Sequence, residues 1–189
     1  PGQPLGRNIL GAPETVKSFT RKDLERFISM NYDTHQMVFC SVGNIPDETI
    51  LKLFSRYFGS LPSQTRKTGD GKIPKYKPSF VTKNKKTYQN HCIIGNMAYR
   101  LKDKRRPGMF LLNNILGGQG MNSRLNLSLR EKRGLAYNVE SSYHAYHDTG
   151  IFSIYFGTDS QNLEKSISVT YSELNKLRTV KLGSIQLRK

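Results

Sequence analysis

Residues 117–159 read "GGQGMNSRLNLSLREKRGLAYNVESSYHAYHDTGIFSIYFGTD", and their pattern decides the fold. A glycine-rich turn at Gly117, Gly118 and Gly120 opens the stretch. Asn122 or Ser123 then offers a cap for a helix over "SRLNLSLREKR" (123–133), which places Leu125 and Leu129 on one face. Gly134 is the residue type that ends such a helix in the left-handed region. Two runs rich in aromatic and β-branched residues follow, 135–147 and 150–158, separated by Asp148-Thr149-Gly150. Strand-forming runs around a turn of that composition predict an antiparallel hairpin.

Working outward, Asp159 begins a last helix in which Leu163, Ile167, Tyr171 and Leu174 recur at spacings of three and four. Upstream, "RRPGMFLLNNILGG" (105–118) predicts a helix with Met109, Leu112 and Leu116 on one side. "SFVTKNKKTYQNHCIIGNMAY" (79–99) predicts two strands, near 79–87 and 90–99. The order strand, strand, helix, helix, strand, strand, helix predicts an α+β fold, an antiparallel sheet with helices on one face.

The first third reads differently. The opening "PLGRNILGAPETV" lacks periodicity and reads as a loop. Thr20 can N-cap a helix with Asp23 three residues on, and Leu24, Phe27 and Ile28 fall at helical spacing. "HQMVFCSVG" (35–43) predicts a short buried strand ended by Gly43. Pro46 suits the start of a second helix whose apolar face is Ile50, Leu51, Phe54 and Phe58, with Gly59 ending it. A helix–strand–helix of this size is too small for its own core. Between the two parts, "SLPSQTRKTGDGKIPKYKP" (60–78) is crowded with Pro, Gly and Lys, and no packed face runs through it. The domain reading is therefore 1–62 as the end of one domain, 63–80 as a basic linker and 81–189 as a second, truncated domain. Pro1 in place of Met and the tail "KLGSIQLRK", which could continue a helix, read as cut ends.

Composition narrows the function classes. No apolar run approaches the ~18 residues of a membrane helix, and no signal peptide is visible. A soluble chain with no membrane partner is expected, and composition leaves its compartment, bacterial cytoplasm or periplasm, unknown. Cys40 and Cys92 sit in apolar runs and read as buried thiols outside any disulfide framework. The net charge is +16, and residues 60–106 alone carry 13 basic and 2 acidic groups. Much of that excess falls in the linker, and Lys83, Lys85 and Lys86 lack any RNA-recognition motif, so a solvated surface is expected and no nucleic-acid partner.

Metal-binding patterns are missing from the chain. The four histidines are His35, His91, His144 and His147, and the His144/His147 pair on a strand would point to opposite faces, one inward and one to solvent. No Gly-x-Ser-x-Gly or phosphate-loop pattern occurs. The 117–120 turn reads equally as a site for an anion or a peptide carbonyl and as a tight turn between packed helices.

Taken together, "GGQGMNSRL", "REKRGLAY", the Thr149-Gly150 turn and the Gly157-Thr158 ending resemble, in order, the C-terminal half of M16 (pitrilysin/insulinase-like) zinc metallopeptidases. "PLGRNILGAPETVKSF" (4–19) and "YDTHQMVFCSVGNI" (32–45) are similar to the family's segments after its metal-binding helices, so the resemblance spans nearly the whole chain. It implies an M16 peptidase-like (LuxS/MPP-like) half plus the tail of a preceding similar half, the two facing each other across a chamber. The first half of such proteins holds zinc on an inverted His-x-x-Glu-His helix with a downstream Glu. The second contributes an Arg and a Tyr toward substrate, which match Arg130 and Tyr137. A phenol O–H and a guanidinium near the carbonyl under attack would stabilise its developing charge and hold the peptide. Arg133 and the glycines Gly117, Gly118 and Gly120 are weaker substrate-binding candidates.

His-x-x-Glu-His is nowhere in the sequence. The resemblance thus implies part of a zinc-dependent endopeptidase, with zinc in the parent and no metal ligands in this chain, which is expected to be inactive alone. The alternative is a non-catalytic M16-like subunit that binds and presents peptides to a catalytic partner. Expected partners are a peptide substrate and an M16-like partner half or a second copy of the chain.

Overall fold

The computed structural model describes residues 4–63, 65 and 76–183. Most of the expected linker, at 64 and 66–75, lies outside the described residues, as do the tail at 184–189 and residues 1–3. The chain forms two compact units, Pro1–Gly69 and Asp70–Lys189.

In the first unit, α1 (Pro13–Ser18) begins on a proline, whose missing N–H costs nothing there. α2 (Arg21–Asn31) is closed by a capping box. The Thr20 amide donates to Asp23 Oδ2 at 2.8 Å, and the Asp23 amide donates back to Thr20 Oγ1. α3 (Asp47–Phe58) follows Pro46 and stops at Gly59. The strand expected over 35–43 does not form. A 3-10 turn, Thr34–Gln36, takes its start, and the chain beyond leaves Val38 and Val42 more than nine-tenths exposed. A strand exists only as half of a ladder, and the described residues of this unit supply no second strand to pair with. Cys40 is exposed for the same reason, against the expected burial. Phe39 instead packs beside Phe54 and Phe58 of α3, with ring centroids 5.1 and 6.2 Å away. Leu24, Phe27 and Ile28 of α2 remain more than half exposed.

The second unit is a three-stranded antiparallel sheet built from β1 (Asn90–Ala98), β2 (Asn138–Ala145) and β3 (Gly150–Thr158) in the order β1-β3-β2. The expected strand near 79–87 is extended chain without a ladder partner. Registers Ile94↔Ile154↔Ser141 and Cys92↔Phe156↔Val139 align one face of all three strands. α4 (Arg106–Gly117) and α5 (Leu163–Thr179) cover that face, giving the α+β architecture its single layer of helices. Leu116, Leu125, Leu129, Leu135, Ala136, Val139, Ile154 and Phe156 form the core, with Cys92, Leu163, Ile167 and Leu174 packed against it. Cys92 is half-buried, and desolvation raises its thiol pKa, so it rests as a thiol. The opposite face is open: Ile93 is 72% exposed, and His91 hydrogen-bonds Tyr155 across it at 2.8 Å.

Three local expectations change. Tyr171 is exposed, while Ser166 and Thr170 of α5 are fully buried beneath it. They can be, because their hydroxyls find acceptors: Thr170 Oγ1 donates to the Ser166 carbonyl at 2.8 Å. α5 ends at Thr179 and does not continue into the described part of the tail. His147 lies past the end of β2, where strand alternation no longer applies, so both it and His144 are exposed.

Leu129→Ala removes a fully buried side chain from the core centre and should lower unfolding free energy by about 2–5 kcal/mol. Leu127→Ala, two residues away and exposed, should cost well under ~1 kcal/mol, as read by urea denaturation.

Candidate functional site

The segment expected as an α-helix over 123–133 is a π-helical turn, Asn126–Glu131. Its wider winding is visible where the Lys132 amide reaches back to the Leu127 carbonyl. The Gly134 amide then donates to Arg130 O at 2.9 Å and the Leu135 amide to Leu129 O at 2.7 Å, each bond one residue wider than in a common glycine-terminated helix. Gly134 takes φ +58, a conformation that glycine adopts without penalty. The Ser123 hydroxyl, expected as a cap, accepts from Asn126 Nδ2 at 2.9 Å. π turns recur at functional sites because the extra residue redirects side chains without unravelling the helix.

This turn carries Arg130. Its Nε lies 3.7 Å from Glu131 Oε1, and both side chains are about half exposed (50% and 44%), so the pairing is loose. Arg133 has a different duty: its Nη1 donates to the Ser128 carbonyl at 2.8 Å, satisfying a backbone acceptor in the last turn.

Tyr137 sits just before β2, where its amide donates to the Gly157 carbonyl at 3.0 Å. Its ring is 60% exposed. Its O–H donates to Asp159 Oδ2 at 3.2 Å. That hydrogen bond, together with the carboxylate charge, raises the phenol pKa above its ordinary value and keeps it a donor at neutral pH. Asp159 therefore belongs to the site, although the sequence suggested only a helix start for it. Its side chain makes no capping bond to the 3-10 turn Ser160–Asn162 that it precedes. The β2–β3 register, with Asn138 opposite Gly157, is the signal that places Asp159 beside Tyr137.

The corner between Arg130 and Tyr137 is rigid underneath. Leu129, Leu135 and Ala136 are buried, and Thr158, fully buried, donates its hydroxyl to the Leu135 carbonyl. Arg130 and Tyr137 thus share one short, fixed segment, but each side chain has its own acidic neighbour. Gly117 lies apart from them, buried against β2. A Cβ there would stand 2.8 Å from the Ser141 amide nitrogen, so close helix–strand packing explains that glycine. A Cβ on Gly118 would meet the Asn114 backbone at 2.9 Å, whereas one on Gly120 would meet the tip of the Asn122 side chain.

Among the described residues, no group of three or more His, Cys, Asp or Glu is placed to hold a metal ion. No helix among them is long and apolar enough to cross a membrane.

The family profile described as the peptidase M16 inactive domain matches residues 18–182. The chain belongs to the M16 peptidase family. This M16 chain is 35% identical over 175 residues to an uncharacterized zinc protease, YmxG, of Bacillus subtilis, covering 91% of the chain and 42% of that protein. It is 31% identical over 171 residues to a probable mitochondrial-processing peptidase subunit beta of Schizosaccharomyces pombe, covering 84% of the chain and 37% of that protein. It is similar in fold to a peptidase M16 inactive domain from Pseudomonas fluorescens, with TM-score 0.76 and 21% identity over 94% of the chain and 43% of that structure. A protease from Helicobacter pylori shares the fold at TM-score 0.70 and 21% identity, over 95% of the chain and 45% of that structure. The M16 chain thus spans less than half the length of these relatives.

Asp159→Asn should lower the Tyr137 pKa toward its ordinary value, read by ultraviolet titration against a Tyr137→Phe control, because the raising carboxylate is gone. The stability that the Tyr137–Asp159 contact contributes is present below the ordinary tyrosine pKa and is lost as pH rises through the raised one. Gly117→Ala should destabilise by about 1–3 kcal/mol through overpacking, and Gly120→Ala by much less, as measured by thermal melts.

Proposed function

We propose that this chain is the peptide-gripping part of an M16 zinc peptidase, with Arg130 and Tyr137 holding a substrate carbonyl in a chamber shared with a partner half. The observation that carries the reading is that both side chains stay exposed on a corner whose backbone is pinned from below. Preorganised donors cost little to bring to bear on a developing negative charge. Tyrosine has one O–H, so Tyr137 must leave Asp159 to serve a peptide, and the exposed 3.2 Å bond is weak enough to exchange. Arg130 is free of any close bidentate pairing, which leaves its fork available to a carbonyl or a peptide carboxylate.

Zinc does not fit the described residues. His35 hydrogen-bonds Ser63, His91 hydrogen-bonds Tyr155, and His144 and His147 stand exposed without a converging third donor. In this reading any metal is held by another part of the protein, and hydrolysis is assigned there. The apolar side chains exposed on α2 and α3 support a partner surface in the complete protein. Arg133 and Gly117 act on substrate only indirectly, through the Ser128 carbonyl and the β2 strand they contact.

In the complete protein encoded around this chain, Tyr137→Phe and Arg130→Ala should each lower kcat/KM by roughly 100-fold with the fold intact. Unchanged turnover in both variants removes the assignment. The isolated chain is expected to cleave no peptide with or without added zinc. Reading the frame before Pro1 for His-x-x-Glu-His separates a peptidase from a peptide-presenting subunit.

A further inference from the structure

The first unit folds helices without a core to hold them. Among its described residues only Asp33 is buried, and neither α2 nor α3 contains a buried residue. Leu51, Phe54 and Phe58 share one side of α3, yet all three stay more than a third exposed. An apolar side left so open is an interaction surface.

The stretch before α3 shows what kind of surface fits. Residues 37–42 belong to no helix, and Met37 has extended φ and ψ. Among the described residues, no backbone hydrogen bond involves this stretch. Phe39 already leans on Phe54 and Phe58, while Val38 and Val42 stand in solvent. Covering such a backbone with side chains alone would bury its N–H and C=O groups unpaired, whereas the edge of a sheet pairs them. A second copy of the chain would bring one such strand, and a two-stranded ribbon is marginal in water. A sheet of several strands supplies both the ladder and an apolar face for α3. The chain spans less than half the length of its relatives, whereas the fold match takes in 94% of it, most of the first unit included, so the relatives have chain to spare for that sheet.

We propose that residues 37–42 add as a strand to the edge of a β-sheet formed by polypeptide outside this chain, carrying α3 onto that sheet's apolar face through Phe39, Phe54 and Phe58. The proposal rests on the reading of the chain as part of a larger M16 protein, and not on the roles of Arg130 and Tyr137.

Amide hydrogen exchange read by mass spectrometry, on this chain alone and on the complete protein, tests it. Amides 38–42 should exchange freely in the chain alone and at least ~100-fold more slowly in the complete protein. Val42→Asp should leave the melting temperature of the chain alone unchanged, because a side chain 96% exposed has almost no contact to lose, and should lower that of the complete protein by about 5 °C or more. Val42→Thr, which keeps the side-chain shape, should lower it less and serves as the readout if the aspartate variant does not fold. Free exchange of these amides in the complete protein overturns the proposal, as does a melting temperature there that neither variant moves. Protection already present in the chain alone also overturns it: if dilution abolishes the protection the occupant is a second copy, and if it persists the occupant is a strand of this chain. Neither readout uses turnover, so the proposal and the peptide-gripping assignment can fail separately.

Discussion

The fully buried Thr158 hydroxyl is the contact on which the second unit turns. It donates to the Leu135 carbonyl and lies 3.4 Å from the Ser166 hydroxyl, so the end of β3, the corner after the π turn and the start of α5 meet at one side chain. A hydroxyl without water must be satisfied by protein, and here its proton goes to a backbone acceptor that the reversal at Gly134 would otherwise leave unpaired. The π turn, the glycine and the hairpin register all have to agree for that bond to form.

That single junction also orders the surface. With Leu129, Leu135 and Ala136 held inward, the alternate positions Arg130 and Tyr137 are forced outward, each toward an acid that only partly occupies it. On the other side of the turn, Lys132 lines a groove shared with Glu173, Lys176 and Val180 at α5.

Much of this was legible along the chain. The hairpin, its Asp148-Thr149-Gly150 turn, the stop at Gly134, the Thr20–Asp23 capping box and the α4 face all rest on interactions within a few residues, and residue type reports such interactions directly. The family, too, could be read from ordered motifs, and the profile match over 18–182 agrees. The failures have one origin. "HQMVFCSVG" has strand composition, yet a strand needs a neighbour, and the chain does not reveal which neighbours are present. Tyr171 obeys helical spacing, yet the core side of α5 is lined by Ser166 and Thr170, whose polarity is masked by bonds invisible in the sequence.

Asp159 and Arg133 mark the boundary between the two kinds of information. Residue type and spacing were enough to say that Gly134 must separate the helix from the strand, because backbone sterics act locally, whereas Arg130 and Tyr137 were singled out only by the resemblance to M16 motifs. Which acid faces the phenol, which carbonyl captures Arg133, and how far the helix winds before it reverses were settled by strand register and by the need to pair every buried polar group. Those are conditions on residues distant in sequence, and folding brings them together.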